Sequence, residues 1–223
     1  VALASLGALP ERWLARTEFV ADDVVDRWRD HATVTWIDPT LVVRPVWVDA
    51  SFGAGVTVVD IEPGPTFGMG DHPTTVLSLR ALRRCLAGAP PRRVLDVGCG
   101  SGVLAVAAAC LGAASADAID ISPAAPAVTA DNARRNGVAD RVRASDEPLA
   151  QVRGAYDLVV ANILAPVLVE LADDLVRVLA PEGSLVISGI LAERHDHVLA
   201  ALQPLRVECT DVLDGWVAVT LRR

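Results

Sequence analysis

One stretch, Val94-Leu95-Asp96-Val97-Gly98-Cys99-Gly100-Ser101-Gly102, limits what this chain can fold into more than any other. Four residues suited to a buried strand run into G-x-G-x-G, and Val103 to Leu111 then supply good helix formers. Glycine permits positive φ and lets another group approach with no Cβ in the way. A helix that starts directly behind such a turn has unpaired N–H groups in its first turn. Strand, glycine turn and helix in this order predict a nucleotide-type cofactor cradle at the carboxyl end of a parallel strand.

A dinucleotide loop reads G-x-G-x-x-G. Here the third glycine, Gly102, comes one residue early and Val103 stands in the sixth place. Asp96 adds a carboxylate near the strand end, which would repel a pyrophosphate and suits a ligand carrying ammonium and sulfonium groups. Asp120 follows Gly98 by 22 residues and closes the run Ala116-Asp117-Ala118-Ile119, with Ile121 next to it. An acidic side chain at the tip of the second strand can accept hydrogen bonds from both ribose hydroxyls. The combination resembles the Rossmann-like S-adenosylmethionine-dependent methyltransferases. The resemblance implies S-adenosylmethionine as cofactor, with Gly98, Gly100, Gly102, Asp96, Asp120 and Ile121 around it. A nicotinamide enzyme, or a glycine turn with no ligand, are the other readings of the loop.

From position 94 onward strand and helix signals alternate. Strands are expected at 94–97, 115–119, 141–144, 157–161, 184–188, 205–210 and 216–221, and helices at 102–111, 123–136, 166–179 and 191–201. Pro181-Glu182-Gly183 reads as a turn. The fold class that follows is α/β: a doubly wound, Rossmann-like sheet, mostly parallel. Asp211 to Gly215 is short enough for a hairpin, so the last strand is expected to be antiparallel. Before position 94, Val76, Leu77, Leu79, Leu82 and Leu86 share the apolar face of a helix over 74–87. Short strands are expected at 34–36, 41–43 and 56–60, and a short helix at 22–30. This divides the chain into a small N-terminal extension, 1–60, and a cofactor-binding domain, 61–223.

A second signature, Phe67-Gly68-Met69-Gly70-Asp71-His72-Pro73-Thr74-Thr75, stands directly ahead of the 74–87 helix, whose entry Pro73 and Thr74 suit. Strand four ends in Asn162-Ile163-Leu164-Ala165, strand five in Ser188-Gly189-Ile190-Leu191, and the last strand carries Trp216-Val217-Ala218. Together with Leu41-Val42-Val43-Arg44-Pro45-Val46-Trp47, these motifs resemble the ribosomal protein L11 methyltransferase family over about positions 40 to 223. That family methylates lysine side chains and the N-terminal amine of the ribosomal protein. Its loop usually reads Phe-Gly-Thr-Gly-x-His, where this chain has Met69. Its members carry a separate N-terminal substrate-recognition domain. About 40 residues precede Leu41, so a shortened recognition region is expected.

The resemblance implies that Phe67, Gly68, Gly70, His72, Thr74 and Thr75 cover the cofactor, with Phe67 near the sulfonium, where a π face favours positive charge. His72 would order the loop or cap the helix. Asp146, after the third strand, would approach the adenine amino group. Asn162 is the candidate catalytic residue and is also counted among the residues that bind the cofactor. Its side-chain carbonyl would accept a hydrogen bond from the acceptor amine and aim the lone pair, without stabilising the ammonium as a carboxylate would.

Composition narrows the partners. Net charge is −8 and all 20 basic residues are arginine, so no overall basic face for nucleic acid is expected. An acidic surface suits a basic protein substrate, here one resembling a ribosomal protein. No run of about 18 uncharged apolar residues occurs. The apolar N-terminal residues lack a basic leader, and the four scattered cysteines contain no C-x-x-C pair. A cytoplasmic protein with reduced thiols is expected. His195 and His197 are two apart on an expected helix, so they point to different sides and suggest no metal site. A small-molecule or peptide amine methyltransferase, and a catalytically idle cofactor-binding module, are the rival functions.

Overall fold

The computed structural model describes residues 29, 32–88 and 92–223. The helix expected at 22–30 lies outside them, apart from Arg29. Thr33–Arg223 form one compact unit, so position 60/61 falls inside it.

Two sheets build that unit. In the small one, β1 (Thr35–Asp38) pairs antiparallel with β2 (Leu41–Pro45), and β2 pairs parallel with β3 (Thr57–Ile61). The large sheet contains β4 (Arg93–Val97), β5 (Ser115–Ile119), β6 (Val142–Ser145), β7 (Tyr156–Asn162), β8 (Leu179–Leu191), β9 (Arg206–Leu213) and β10 (Trp216–Arg222). Its order is β6-β5-β4-β7-β8-β10-β9, and β10 alone runs against the other six. The antiparallel last strand expected from the hairpin is therefore present, although the turn is tighter than Asp211 to Gly215. Only Asp214 and Gly215 connect the strands, both at positive φ, as a two-residue hairpin requires.

Alternate residues of the central strands face opposite layers, as the pleat dictates. Val94, Leu158, Val160 and Val186 join the core under α1 (Pro73–Leu86), α2 (Val103–Cys110) and α3 (Ala125–Arg135). Leu95, Val97, Val159, Ala161, Leu185 and Ile187 join the core under α4 (Ala165–Glu170), α5 (Ala172–Arg177) and α6 (Asp196–Ala201). Helices thus cover both faces, the doubly wound arrangement read from the sequence.

The small sheet has a specific task. Every residue of α2 from Val103 to Ala109 is buried, so this helix is apolar all round and needs cover on its outer side. Ile37, Leu41, Val43, Val59 and Ile61 of the small sheet share its core.

Two expected elements differ. The helix expected over 166–179 breaks at Leu171 (φ −91°, ψ 4°) into α4 and α5. β8 starts earlier than 184: Tyr156 pairs with Leu179 and Leu158 with Ser184, so the Pro181-Glu182-Gly183 turn bulges out inside a longer strand.

Candidate cofactor and acceptor site

The strand order reverses between β4 and β7, which is where open α/β sheets bind ligands. A cavity of about 610 Å3 opens there, within the range of small-molecule sites. Its wall comes from the ends of β4, β5 and β7, the segment after β6, and the Pro65–Gly68 loop.

The glycine loop is shaped from within. Gly98 N–H and Cys99 N–H both donate to the Ile119 carbonyl, at 2.8 and 3.0 Å. Gly100 N–H donates to Asp120 Oδ2 (2.8 Å), Ser101 N–H to the Phe67 carbonyl (2.9 Å) and Gly102 N–H to the Cys99 carbonyl (2.7 Å). The helix start is likewise engaged: Val103 N–H meets Ser101 Oγ at 3.3 Å and Ala105 N–H meets Asp96 Oδ2 at 3.1 Å. The N–H groups of Gly102, Val103 and Ala105 at this helix entry are therefore occupied by protein acceptors. A phosphate needs such N–H groups and finds none from Gly98 to Val103, which rules against a dinucleotide. Gly100 must be glycine: its φ is +53°, and a Cβ would lie 2.5 Å from the Phe67 carbonyl oxygen.

Asp120 stands in the cavity wall. Its Oδ2 accepts from Gly100 and its Oδ1 from Ser122 N–H (2.8 Å). Each oxygen keeps a second lone pair for a ligand hydroxyl. The glycine loop and Asp120 therefore offer hydroxyl acceptors in place of phosphate donors, which fits a nucleoside with free hydroxyls. Ile121 beside it is 92% exposed, free to be covered by a flat apolar group.

Asp96 is placed differently from the strand-tip position expected. It is 1% exposed, absent from the cavity wall, and turned toward α2 on the same face as Val94. Its Oδ1 has no partner among the described residues. Burial pushes its carboxyl up to about 7; the Ala105 N–H bond pulls it down and nearby Asp120 pushes it further up. Asp146 is exposed and also outside the wall; its neighbours Glu147, Pro148, Leu149 and Ala150 line it instead.

Of the second signature, Phe67, Gly68 and Thr75 line the cavity, whereas Gly70, His72 and Thr74 do not. Gly70 packs against Val43. His72 is the N-cap of α1: Thr74 N–H donates to its Nδ1 at 3.3 Å, and Thr74 Oγ lies 2.8 Å from the same atom. The imidazole also meets the rings of Phe67 (5.7 Å between centroids) and Trp216 (5.2 Å) edge-on. Both roles read for His72, helix entry and loop ordering, are thus present in one side chain. Phe67 itself is 65% exposed at the mouth.

Asn162, at the end of β7, lines the same cavity. Its Nδ2 donates to Thr75 Oγ1 (3.4 Å), which leaves the side-chain carbonyl for another donor. Leu164, 68% exposed, stands beyond it. Cys99, absent from the sequence-derived set, also reaches the wall; burial pushes its thiol up to about 12, so it stays protonated and is no nucleophile. His195 Nδ1 lies 2.6 Å from the Ala192 carbonyl.

Comparison with known proteins places this geometry. The profile of the family described as "Ribosomal protein L11 methyltransferase (PrmA)" matches residues 9–223. A ribosomal protein L11 methyltransferase from Citrifermentans bemidjiense is 45% identical over 207 residues, 91% of this chain and 67% of that protein. The chain thus spans about two thirds of that relative's length. A crystal structure of ribosomal protein L11 methylase from Lactobacillus delbrueckii subsp. bulgaricus superposes with a TM-score of 0.78 at 32% identity, covering 86% of this chain and 98% of that one. The N-methyltransferase NodS from Bradyrhizobium japonicum, solved with S-adenosyl-l-homocysteine, reaches a TM-score of 0.56 at 18% identity over 69% of this chain and 89% of that one, a likeness of fold alone.

Proposed function

The chain belongs to the ribosomal protein L11 methyltransferase family, and from that membership we propose that it methylates lysine side-chain and N-terminal amines of a basic ribosomal protein of the L11 kind, with S-adenosylmethionine as donor. The observation that supports this reading most directly is that Asp120 and Asn162 open onto one cavity, from β5 and β7. Membership favours it over a small-molecule acceptor and over an idle binding module. A ribosomal acceptor would put the reaction in the cytoplasm; among the described residues, no helix is long and apolar enough to cross a membrane.

Bound in the cavity, S-adenosylmethionine supplies a methyl group on a sulfonium, open to in-line attack by a neutral amine. Asp120 would hold the ribose hydroxyls through its unused lone pairs, and Ile121, Leu149 and Ala150 would offer apolar surface to the base. Glu147, the neighbour of Asp146 that lines the cavity wall, would meet the adenine amino group there. Phe67 can turn its ring face to positive charge. Asn162 presents its carbonyl to the acceptor amine while Thr75 fixes its amide nitrogen. A lysine with an ordinary pKa of about 10.4 needs about 4 kcal/mol to lose its proton at pH 7.4. The exposed apolar residues Phe67 and Leu164 at the mouth lower that cost by stripping water from the ammonium.

Incubation with labelled S-adenosylmethionine and an L11-type ribosomal protein tests the proposal. This chain contains no lysine, so labelled methyl-lysine in the hydrolysate comes from the acceptor. Asn162→Ala should lower turnover roughly 100-fold at saturating cofactor, the effect of a misplaced reactant. Undiminished turnover would remove Asn162 from the reaction, and an unlabelled acceptor with wild-type protein would refute the substrate.

A further inference from the structure

Two asparagines, Asn132 in α3 and Asn136 at its C-cap, hold the end of β3 as a neighbouring strand would. β3 is an edge strand of the small sheet, and its outer backbone groups need partners. Asn136 Oδ1 accepts from Asp60 N–H (2.8 Å) while its Nδ2 donates to the Asp60 carbonyl (2.8 Å). Asn132 repeats the pattern two residues on: Oδ1 accepts from Glu62 N–H and Nδ2 donates to the Glu62 carbonyl, both at 2.9 Å. The spacings match, since four residues of helix rise about 6.0 Å and two residues of strand about 6.6 Å.

Asn132 does something that Asn136 does not. It is fully buried, and its second N–H donates to the Ser101 carbonyl at 2.9 Å, inside the glycine loop. Ser101 in turn holds the Phe67 loop: its N–H donates to the Phe67 carbonyl and its Oγ to the Gly68 carbonyl (2.6 Å). The contacts close a ring. The segment from Glu62 to Gly68 is tied at its start by Asn132 and at its far end by Ser101, and Asn132 ties Ser101 itself. Two parts of the cavity wall distant in sequence, the glycine loop and the Phe67 loop, are therefore set by one side chain that touches neither the cavity nor a ligand.

We propose that Asn132 is a positioning residue of the cofactor cavity, fixing the Phe67 loop in register with the glycine loop. The proposal rests on the cofactor reading given above, and Asn136 is its internal control. Each asparagine makes three hydrogen bonds, so loss of either destabilises the fold, but only Asn132 reaches the glycine loop. Calorimetric titration with S-adenosylhomocysteine, alongside thermal unfolding, separates the two effects. Asn132→Ala should weaken binding at least tenfold and Asn136→Ala less than twofold, while both lower Tm. Should Asn132→Ala not fold, Asn132→Asp keeps the acceptor for Glu62 N–H, removes both donors, and should weaken binding by the same factor. Equal losses in the two alanine variants, or wild-type affinity in Asn132→Ala or Asn132→Asp, would overturn the proposal alone. A wild-type chain that does not bind S-adenosylhomocysteine would overturn the cofactor reading and this inference with it.

Discussion

Asp96 shows how a sequence can put a carboxylate on the right strand without telling which face it takes. Strand β4 is apolar on both faces, so its sequence carries no alternation to say which way the acid points. The structure turns it under the loop, toward α2. Its carboxyl, normally near 4, is pushed up to about 7, chiefly by burial. Between pH 4 and pH 7 the unfolded chain has released a proton that the folded chain retains, so stability falls as pH rises through that window. Above pH 7 the full cost of the buried charge is present. Asp96→Asn keeps an acceptor for Ala105 N–H and does not titrate. Its Tm should therefore fall less than the wild type's between pH 4 and pH 7, and the same slope in both proteins would contradict this origin. For the neighbouring acids the structure puts Glu147 and not Asp146 in the cavity wall; the two are adjacent on an irregular segment, where no periodicity tells which one faces inward.

Among the elements, α2 and the small sheet depend on each other. A helix of eight residues with seven buried has no solvent face, and the strands at 35–61 provide the missing wall. Ile61, fully buried at the end of β3, should cost about 2–5 kcal/mol when cut to alanine, measured by denaturant unfolding. A loss below about 1 kcal/mol would mean that this sheet is not part of the core. The sequence made these elements legible where punctuation was strong: glycines after β4, proline at the start of α1, the Asp214-Gly215 hairpin. It was silent where tertiary contacts decide. No glycine or proline marks the break at Leu171, and the turn at Pro181 to Gly183 reads as a strand start although the chain continues its ladder on either side. The closed hydrogen bonding of the glycine loop was equally invisible, because its acceptors come from Phe67, Ile119 and Asp120.

For the molecule as a whole, the sheet reversal between β4 and β7 gathers residues drawn from positions 65 to 171 around one cavity, and an overall net charge of −8 favours cationic partners. Everything proposed for donor, acceptor and positioning residues depends on a nucleoside ligand held by Asp120 in that cavity. Isothermal titration of S-adenosylhomocysteine into the wild-type chain and into Asp120→Ala measures this directly. The structure predicts one site per chain and a loss of about 1–3 kcal/mol of binding free energy in the variant, as removal of a hydrogen-bonding acceptor entails. No binding by the wild type, or equal affinity in both proteins, would contradict it.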